Sequence, residues 1–455
     1  MSYEQFLEKK QFRQFTAGFD VGELNSNMKP HQVAIVRWAL KRGRAAIFAD
    51  TGLGKTLMQL EWANQISHKT EKPVLLLAPL AVGKQTEEEC AKFGVTSKAK
   101  YMRQFDLTHR IVITNYEMLD NFDPSDFAGI VLDESSILKG QSGAYRKKIT
   151  EFASNIEYRL SCTATPSPND FMELGTQCEF LGIMNQVEML AMFFTHDGSE
   201  TQKWRLKGHA QSKFWEWLAT WAVVISNPSD LGFDGTEYEL PPLNIHKVVL
   251  PAATDGALFA EVAQGLSAAR DAKRRSMESR VKACADLVNQ YDEPFLVWGE
   301  LNAETDMLAD LIADAVQVKG ADKLETKEDR LIGFSHGDYK KLVSKASICG
   351  HGMNWQHACK MAFVGPTYSF EQFYQAVRRE WRFLQFNAVD VWVFMTEEET
   401  GIHDAMMRKM EQDKQMRSEM IKVMADAMKK EINGATAIKT DYKPTKTAVL
   451  PSFLL

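Results

Sequence analysis

The stretch Ala49-Asp50-Thr51-Gly52-Leu53-Gly54-Lys55-Thr56 constrains this chain more than any other. Ahead of it stands an apolar run, Ala45-Ala46-Ile47-Phe48, of the length of a buried strand. Behind it Leu57, Leu60, Ala63 and Ile66 recur at roughly helical spacing. Strand, glycine-bearing turn and a helix opening on Gly-Lys-Thr are the setting a phosphate-binding loop requires. Gly52 and Gly54 let the backbone wrap close to phosphate oxygens, and the first N–H groups of the helix are free to donate to them. Thr51, Gly52, Leu53, Gly54, Lys55 and Thr56 are therefore the candidate nucleotide ligands. Lys55 would reach the β- and γ-phosphates of ATP, and the Thr56 hydroxyl would ligate Mg²⁺. Ala49 replaces the first glycine of the strict pattern, so the flanking strand and helix carry this reading.

Such a loop needs a metal carboxylate, a base and a charge stabiliser from elsewhere in the chain. Further apolar runs at 73–79, 110–116, 129–132 and 158–162 alternate with helical stretches, the pattern of a parallel α/β sheet. Ligands gather at the carboxyl ends of such strands. Asp133-Glu134 ends one of them; Asp133 would hold Mg²⁺ and Glu134 would orient and deprotonate the attacking water. Thr163-Ala164-Thr165 ends another. Upstream, Pro30-His31-Gln32 precedes a helical pattern, and the Gln32 amide could read an adenine edge by donating and accepting at once. A second α/β pattern runs through strands at 243–250, 295–298, 315–318, 341–345, 361–364 and 389–394, without a phosphate loop of its own. It contains Gly350-His351-Gly352-Met353-Asn354-Trp355-Gln356, a turn able to bring backbone near a ligand. It also contains Gln375-Ala376-Val377-Arg378-Arg379-Glu380-Trp381-Arg382, expected on a helix with Arg379 and Arg382 on one face. Two arginines presented together suit a γ-phosphate whose charge must be held in the transition state.

The remaining chain is less specific. Residues 171–240 are rich in aromatics, including Trp204, Trp215, Trp217 and Trp221, interleaved with Lys203, Arg205, Lys207 and Lys213. The tryptophans are expected to pack a small helical core, and the cations are left as candidate phosphate contacts. A basic helix is expected over 266–289, with Arg270, Lys273, Arg274, Arg275, Arg280 and Lys282; a solvated face is its default meaning and a phosphate-backbone contact the lesser one. Methionines 406, 407, 410, 416, 420 and 424 read as a packing stripe on one or two polar helices. With 54 Lys+Arg against 60 Asp+Glu, any nucleic-acid footprint has to be a local stripe. Six cysteines without Cys-x-x-Cys spacing argue for reduced thiols. No long uncharged apolar run or leader is present, so no membrane contact and a cytoplasmic location are expected.

Together these segments resemble the ordered motif series of superfamily-two helicases, specifically the Swi/Snf-type translocases, over roughly residues 20–400. The matching pieces are Pro30-x-Gln32, Thr51 to Thr56, the Ala78-Pro79 strand end, Thr114-Asn115-Tyr116, Asp133-Glu134-Ser135, Thr163-Ala164-Thr165-Pro166-x-x-Asn169, Gly350-x-Gly352-x-Asn354 and Gln375-x-x-x-Arg379-x-x-Arg382. The compact form resembles small stand-alone members common in phages and prophages. The resemblance implies an α/β fold of two RecA-like parallel-sheet lobes with a helical insertion and a C-terminal helical extension, ATP and Mg²⁺ in the cleft, and DNA across both lobes. The expected plan is a lead-in over 1–28, lobe one over 29–180, the insertion and linker over 181–240, lobe two over 241–400, helices over 401–433 and a tail over 434–455. It further implies Gly352 at the nucleotide, Thr163 and Thr165 as lobe couplers, and Thr114, Asn354, Gln356 and Gln375 near nucleic acid or the lobe interface. Leu384 departs from the glycine usual before the final glutamine, and the insertions of chromatin remodellers are short here. The leading expectation is a monomeric ATP-driven motor on double-stranded DNA. A strand-separating helicase on single-stranded DNA or RNA, and an ATP-gated nucleic-acid-binding module, are the alternatives.

Overall fold

The computed structural model describes residues 18–79, 82–104, 108–139, 143–166, 171–196, 204–251, 276–349, 353–367 and 369–432. The Gly350-x-Gly352 turn with the expected ligand Gly352, Asn169, Lys203 and the tail over 434–455 lie outside the described residues.

Two parallel sheets organise the chain. The first contains β1 (Arg44–Ala49), β2 (Val74–Ala78), β3 (Ala99–Tyr101), β4 (Ile111–Asn115), β5 (Gly129–Asp133), β6 (Tyr158–Cys162) and, after an antiparallel pair β7 (Phe194–His196) and β8 (Trp204–Leu206), the strand β9 (Ala222–Ile225). Its order is β3-β4-β2-β5-β6-β1-β9. Strands β1, β2, β4, β5 and β6 are near-continuous apolar runs, as a sheet covered on both faces requires. The second sheet contains β10 (Leu243–Leu250), β11 (Phe295–Gly299), β12 (Ala315–Gln317), β13 (Lys341–Lys345), β14 (Lys360–Val364) and β15 (Val389–Thr396), in the order β10-β15-β14-β11-β13-β12. Separate apolar clusters cover its two faces, one around Trp298, Trp355 and Phe373 and one around Cys284, Phe295 and Phe394. The protein is thus an α/β chain of two parallel-sheet lobes.

Register places the chemistry at one edge. Ile47 and Asp133 both stand opposite Cys162, and Ala49 stands opposite Ile225. The carboxyl ends of β1, β5 and β6 are therefore level, and the phosphate loop, Asp133-Glu134 and Thr163 leave the sheet together.

The structure departs from the sequence expectations in three places. The segment 181–240 is not a separate helical insertion: β9 joins the first sheet beside β1, and Trp215, Trp217 and Trp221 are buried in the first lobe's core. Arg280 is neither solvated nor placed for phosphate, because it is fully buried and ion-paired to Glu304 at 3.2 Å and Glu399 at 3.4 Å. The helix carrying Gln375 ends at Val377, so Arg379 and Arg382 sit on the turns that follow it. Those turns are held by the Gln385 amide, which donates to the carbonyls of Ala358 (2.7 Å) and Gln356 (3.1 Å). They also use Leu384 at φ +70°, the left-handed conformation a glycine would supply. The methionine-striped region, expected as one or two helices, is one helix, Thr400–Ile432.

Candidate active site between the lobes

The phosphate loop is shaped by its glycines. Gly52 has φ +94° and Gly54 φ +78°. A Cβ on Gly52 would stand 2.8 Å from Phe383 Cβ, and one on Gly54 would collide with the Gln32 amide. Gln32, buried, receives the Lys29 N–H on Oε1 at 2.9 Å and donates from Nε2 to the Leu53 carbonyl at 3.0 Å. Leu53 thereby contributes its backbone, while its side chain belongs to the core. Lys55 Nζ donates to the carbonyls of Ala49 (2.7 Å) and Asp50 (3.1 Å). Burial lowers the Lys55 pKa, while the nearby charges of Glu134, Asp50 and Asp133 oppose that shift.

The carboxylates of β5 are set differently from one another. Gln59 Nε2 donates to Asp133 Oδ1 at 2.8 Å. Loss of solvation pushes the Asp133 carboxyl up to about 6, and Glu134 beside it adds to the shift. Glu134 takes φ +57°, left-handed for a residue with a side chain, a conformation that costs on the order of 1–2 kcal/mol. That turn aims its Oε1 at two donors, Thr163 Oγ1 at 2.6 Å and Ser136 Oγ at 2.7 Å. Thr163 in turn accepts from the Thr165 N–H at 3.0 Å, and Thr165 Oγ1 donates across the lobe boundary to Glu371 Oε1 at 3.2 Å.

From the second lobe come Arg379 and Arg382. Arg379 donates from Nε to the Gln375 carbonyl at 2.9 Å and from Nη1 to the Met353 carbonyl at 3.2 Å; Arg382 Nη1 reaches that same carbonyl at 3.3 Å. Among the described residues neither has a carboxylate ion-pair partner. Burial draws Arg379 down to about 10 and Arg382 to about 9, which leaves both charged at neutral pH but poorly compensated.

These groups line one cavity of about 400 Å³. Its walls include Gln32, Thr51, Gly52, Gly54, Lys55, Thr56, Asp133 and Glu134 from the first lobe and Asn354, Gln356, Gln375, Arg379 and Arg382 from the second. Thr163 and Thr165 stand behind the wall. Thr114 does not reach it: it is fully buried within β4, paired in register with Leu77, and cannot touch nucleic acid there. The sequence reading missed Tyr238 and Phe383, stacked at 4.6 Å on the cavity wall, and Asp50, which binds Arg378 at 2.7 Å across the lobes. No local spacing signals these pairings, because their members come from different lobes. Thr56 and Asp133 offer hard oxygen donors, the kind Mg²⁺ takes alongside phosphate and water. Among the described residues no cluster of His, Cys, Asp and Glu could hold a metal by itself.

Residues 31–199 match the family of the SNF2-related domain, and the match includes the phosphate loop and Asp133-Glu134. The chain is 25% identical over 189 residues to Protein CHROMATIN REMODELING 19 of Arabidopsis thaliana, an alignment covering 34% of this chain and 25% of the plant protein. It therefore spans about a quarter of that relative's length. The solved Sulfolobus solfataricus SWI2/SNF2 ATPase core in complex with dsDNA aligns with a TM-score of 0.43 and 18% identity, over 90% of this chain and 96% of that one.

Proposed function

We propose that this Swi/Snf-type chain hydrolyses ATP in the cavity between its lobes and uses their closing and opening to move along double-stranded DNA. The observation that carries the reading is the cavity's divided wall: Lys55, Thr56, Asp133 and Glu134 on one side, and on the other the guanidiniums of Arg379 and Arg382, which have no carboxylate ion-pair partner among the described residues. Adenine would lie toward Gln32. Lys55 and the loop N–H groups would hold the phosphates. Thr56 and Asp133 would hold Mg²⁺, which supplies charge neutralisation on the phosphates when bound. Glu134, with its carboxylate fixed by Thr163 and Ser136, would take the proton of the attacking water. Arg379 and Arg382 would stabilise the charge that develops on the γ-phosphoryl group.

Because the base and the arginines belong to different lobes, turnover requires closure. A nucleic acid that favours the closed arrangement must then stimulate hydrolysis. The test is ATP hydrolysis with duplex DNA, single-stranded DNA and RNA, alongside triplex displacement and strand separation. Duplex stimulation with triplex displacement and no unwinding supports the reading. Unwinding would favour a helicase, and no stimulation by any polymer would favour an ATP-gated binding module.

A further inference from the structure

The helix Thr400–Ile432 has 33 residues, a span of about 50 Å at 1.5 Å per residue. Met406, Met410, Asp413, Arg417, Met420, Met424 and Met428 follow one another at steps of three and four, so they form one stripe. Met406 and Met410 pack in the second lobe's core, whereas Met420, Met424 and Met428 pack in the first lobe's core. The Val224 N–H even donates to Met428 Sδ at 3.4 Å. The helix therefore straps one lobe to the other, and its stripe turns polar where it crosses between them.

That polar step faces the phosphate loop. Arg417 Nε donates to Asp413 Oδ2 at 2.8 Å, its guanidinium lies 5.2 Å over the Tyr374 ring, and its Nη1 is 3.9 Å from Asp50 Oδ1. Asp50 immediately precedes Thr51. It accepts from the Thr51 N–H and from the Tyr374 hydroxyl, each at 2.7 Å, and pairs with Arg378 at 2.7 Å. Asp50, Arg378, Asp413 and Arg417 are all buried to 15% side-chain exposure or less, and their charges balance. A methionine at 417 would complete the apolar stripe but would leave the Asp413 carboxylate, 5% exposed, without its guanidinium. A buried charge set kept in place of packing is better suited to fixing one arrangement than to adding stability.

We infer that Arg417 is a positioning residue: from the C-terminal helix it holds Asp50, and through Asp50 the start of the phosphate loop, to the second lobe. The geometry stands independently of the proposed function; only the consequence for ATP rests on it. The test is amide hydrogen exchange on the full-length, nucleotide-free chain carrying R417M, R417K or D50N. R417M should leave the exchange of residues 418–430 at the wild-type level, because the stripe is intact. It should raise exchange over 50–56 by about three- to tenfold, the range expected for one partly buried charge pair. R417K should restore part of that protection. D50N asks the same from the first lobe, since an asparagine still accepts from the Thr51 N–H but carries no charge. Unchanged exchange over 50–56 in both R417M and D50N would overturn the inference. So would a loss of protection in the loop and in 418–430 together in R417M, which would assign Arg417 to helix packing alone. No arm of the test needs ATP turnover, so its failure leaves the hydrolysis reading standing.

Discussion

Replacing Arg382 with alanine separates the chemical from the structural role of the arginine turn. Among the described residues the Arg382 side chain makes one long hydrogen bond, 3.3 Å to the Met353 carbonyl, and burial draws its pKa down to about 9. Its removal forfeits about 1 kcal/mol of hydrogen bonding, and it also relieves the cost of keeping a cation out of water. These terms oppose, so the melting temperature should move by no more than about 2–4 °C. The transition state is a different matter. One arginine facing a γ-phosphoryl group can supply roughly 10³–10⁵ in rate. If Arg379 and Arg382 share that, loss of either removes on the order of 10²–10³, or about 3–4 kcal/mol of barrier lowering. Ground-state binding leans on the loop and Lys55, so KM for ATP should rise less than about tenfold. Steady-state hydrolysis with saturating duplex DNA, read beside a thermal melt, tests all three numbers. An R382A protein that melts like the parent and keeps its DNA-stimulated kcat would refute the split-catalyst reasoning. R382K should recover little, because a lysine lacks the planar fork of donors.

Glu134→Gln should fold and bind ATP normally, since a glutamine oxygen can still accept from Thr163 and Ser136, yet lose on the order of 10²–10⁴ in turnover; single-turnover hydrolysis distinguishes this from weak binding. Lys55→Ala should abolish nucleotide affinity as well as rate, read by titration with a fluorescent ATP analogue. Asp133 holds its proton up to about pH 6, and a cation needs the ionised form, so Mg²⁺ binding should weaken as pH falls through 6 and release protons there, measurable by calorimetry in two buffers. The sign for the metal-free fold is the reverse: a raised carboxyl pKa contributes stability below the ordinary value of 3.8 that is lost as pH rises through about 6. Leu384→Gly should be close to neutral by thermal melt, because relief of the left-handed strain at φ +70° is offset by about 0.5–1 kcal/mol of added unfolded-chain entropy.

Each lobe announced itself through local rules. Leu243–Leu250 and Lys341–Lys345 are strands over the very residues their patterns suggest, and Asp133 ends β5 as an apolar run meeting a carboxylate should. Errors arose where tertiary partners override local pattern. The run Trp221 to Ile225 looked like the end of a helical segment, but β1 offered an open edge and the chain paired with it. Arg280 sat among exposed cations in the sequence, yet Glu304 and Glu399, from elements far along the chain, drew it inside. The stretch after Val377 kept helical spacing and lost helical form, and the Gln385 amide ties its Glu380 carbonyl to the same donor that holds Ala358.

The residues of the proposed nucleotide cavity were legible for a reason the lobe contacts were not. Phosphate chemistry restricts which residues can follow a strand within a few positions, so Gly52, Lys55 and Asp133 are marked by their neighbours. The contact between Asp50 and Arg378 is restricted only by how two finished lobes dock, and that docking is set in part by the strap helix. Met420, Met424 and Met428 would look the same in sequence whether they covered the second lobe or, as here, the first. A methionine stripe specifies burial without specifying a partner. The polar step at Asp413 and Arg417 does carry that information, since a buried guanidinium tolerates few seats, and the one available lies at the threshold of the phosphate loop.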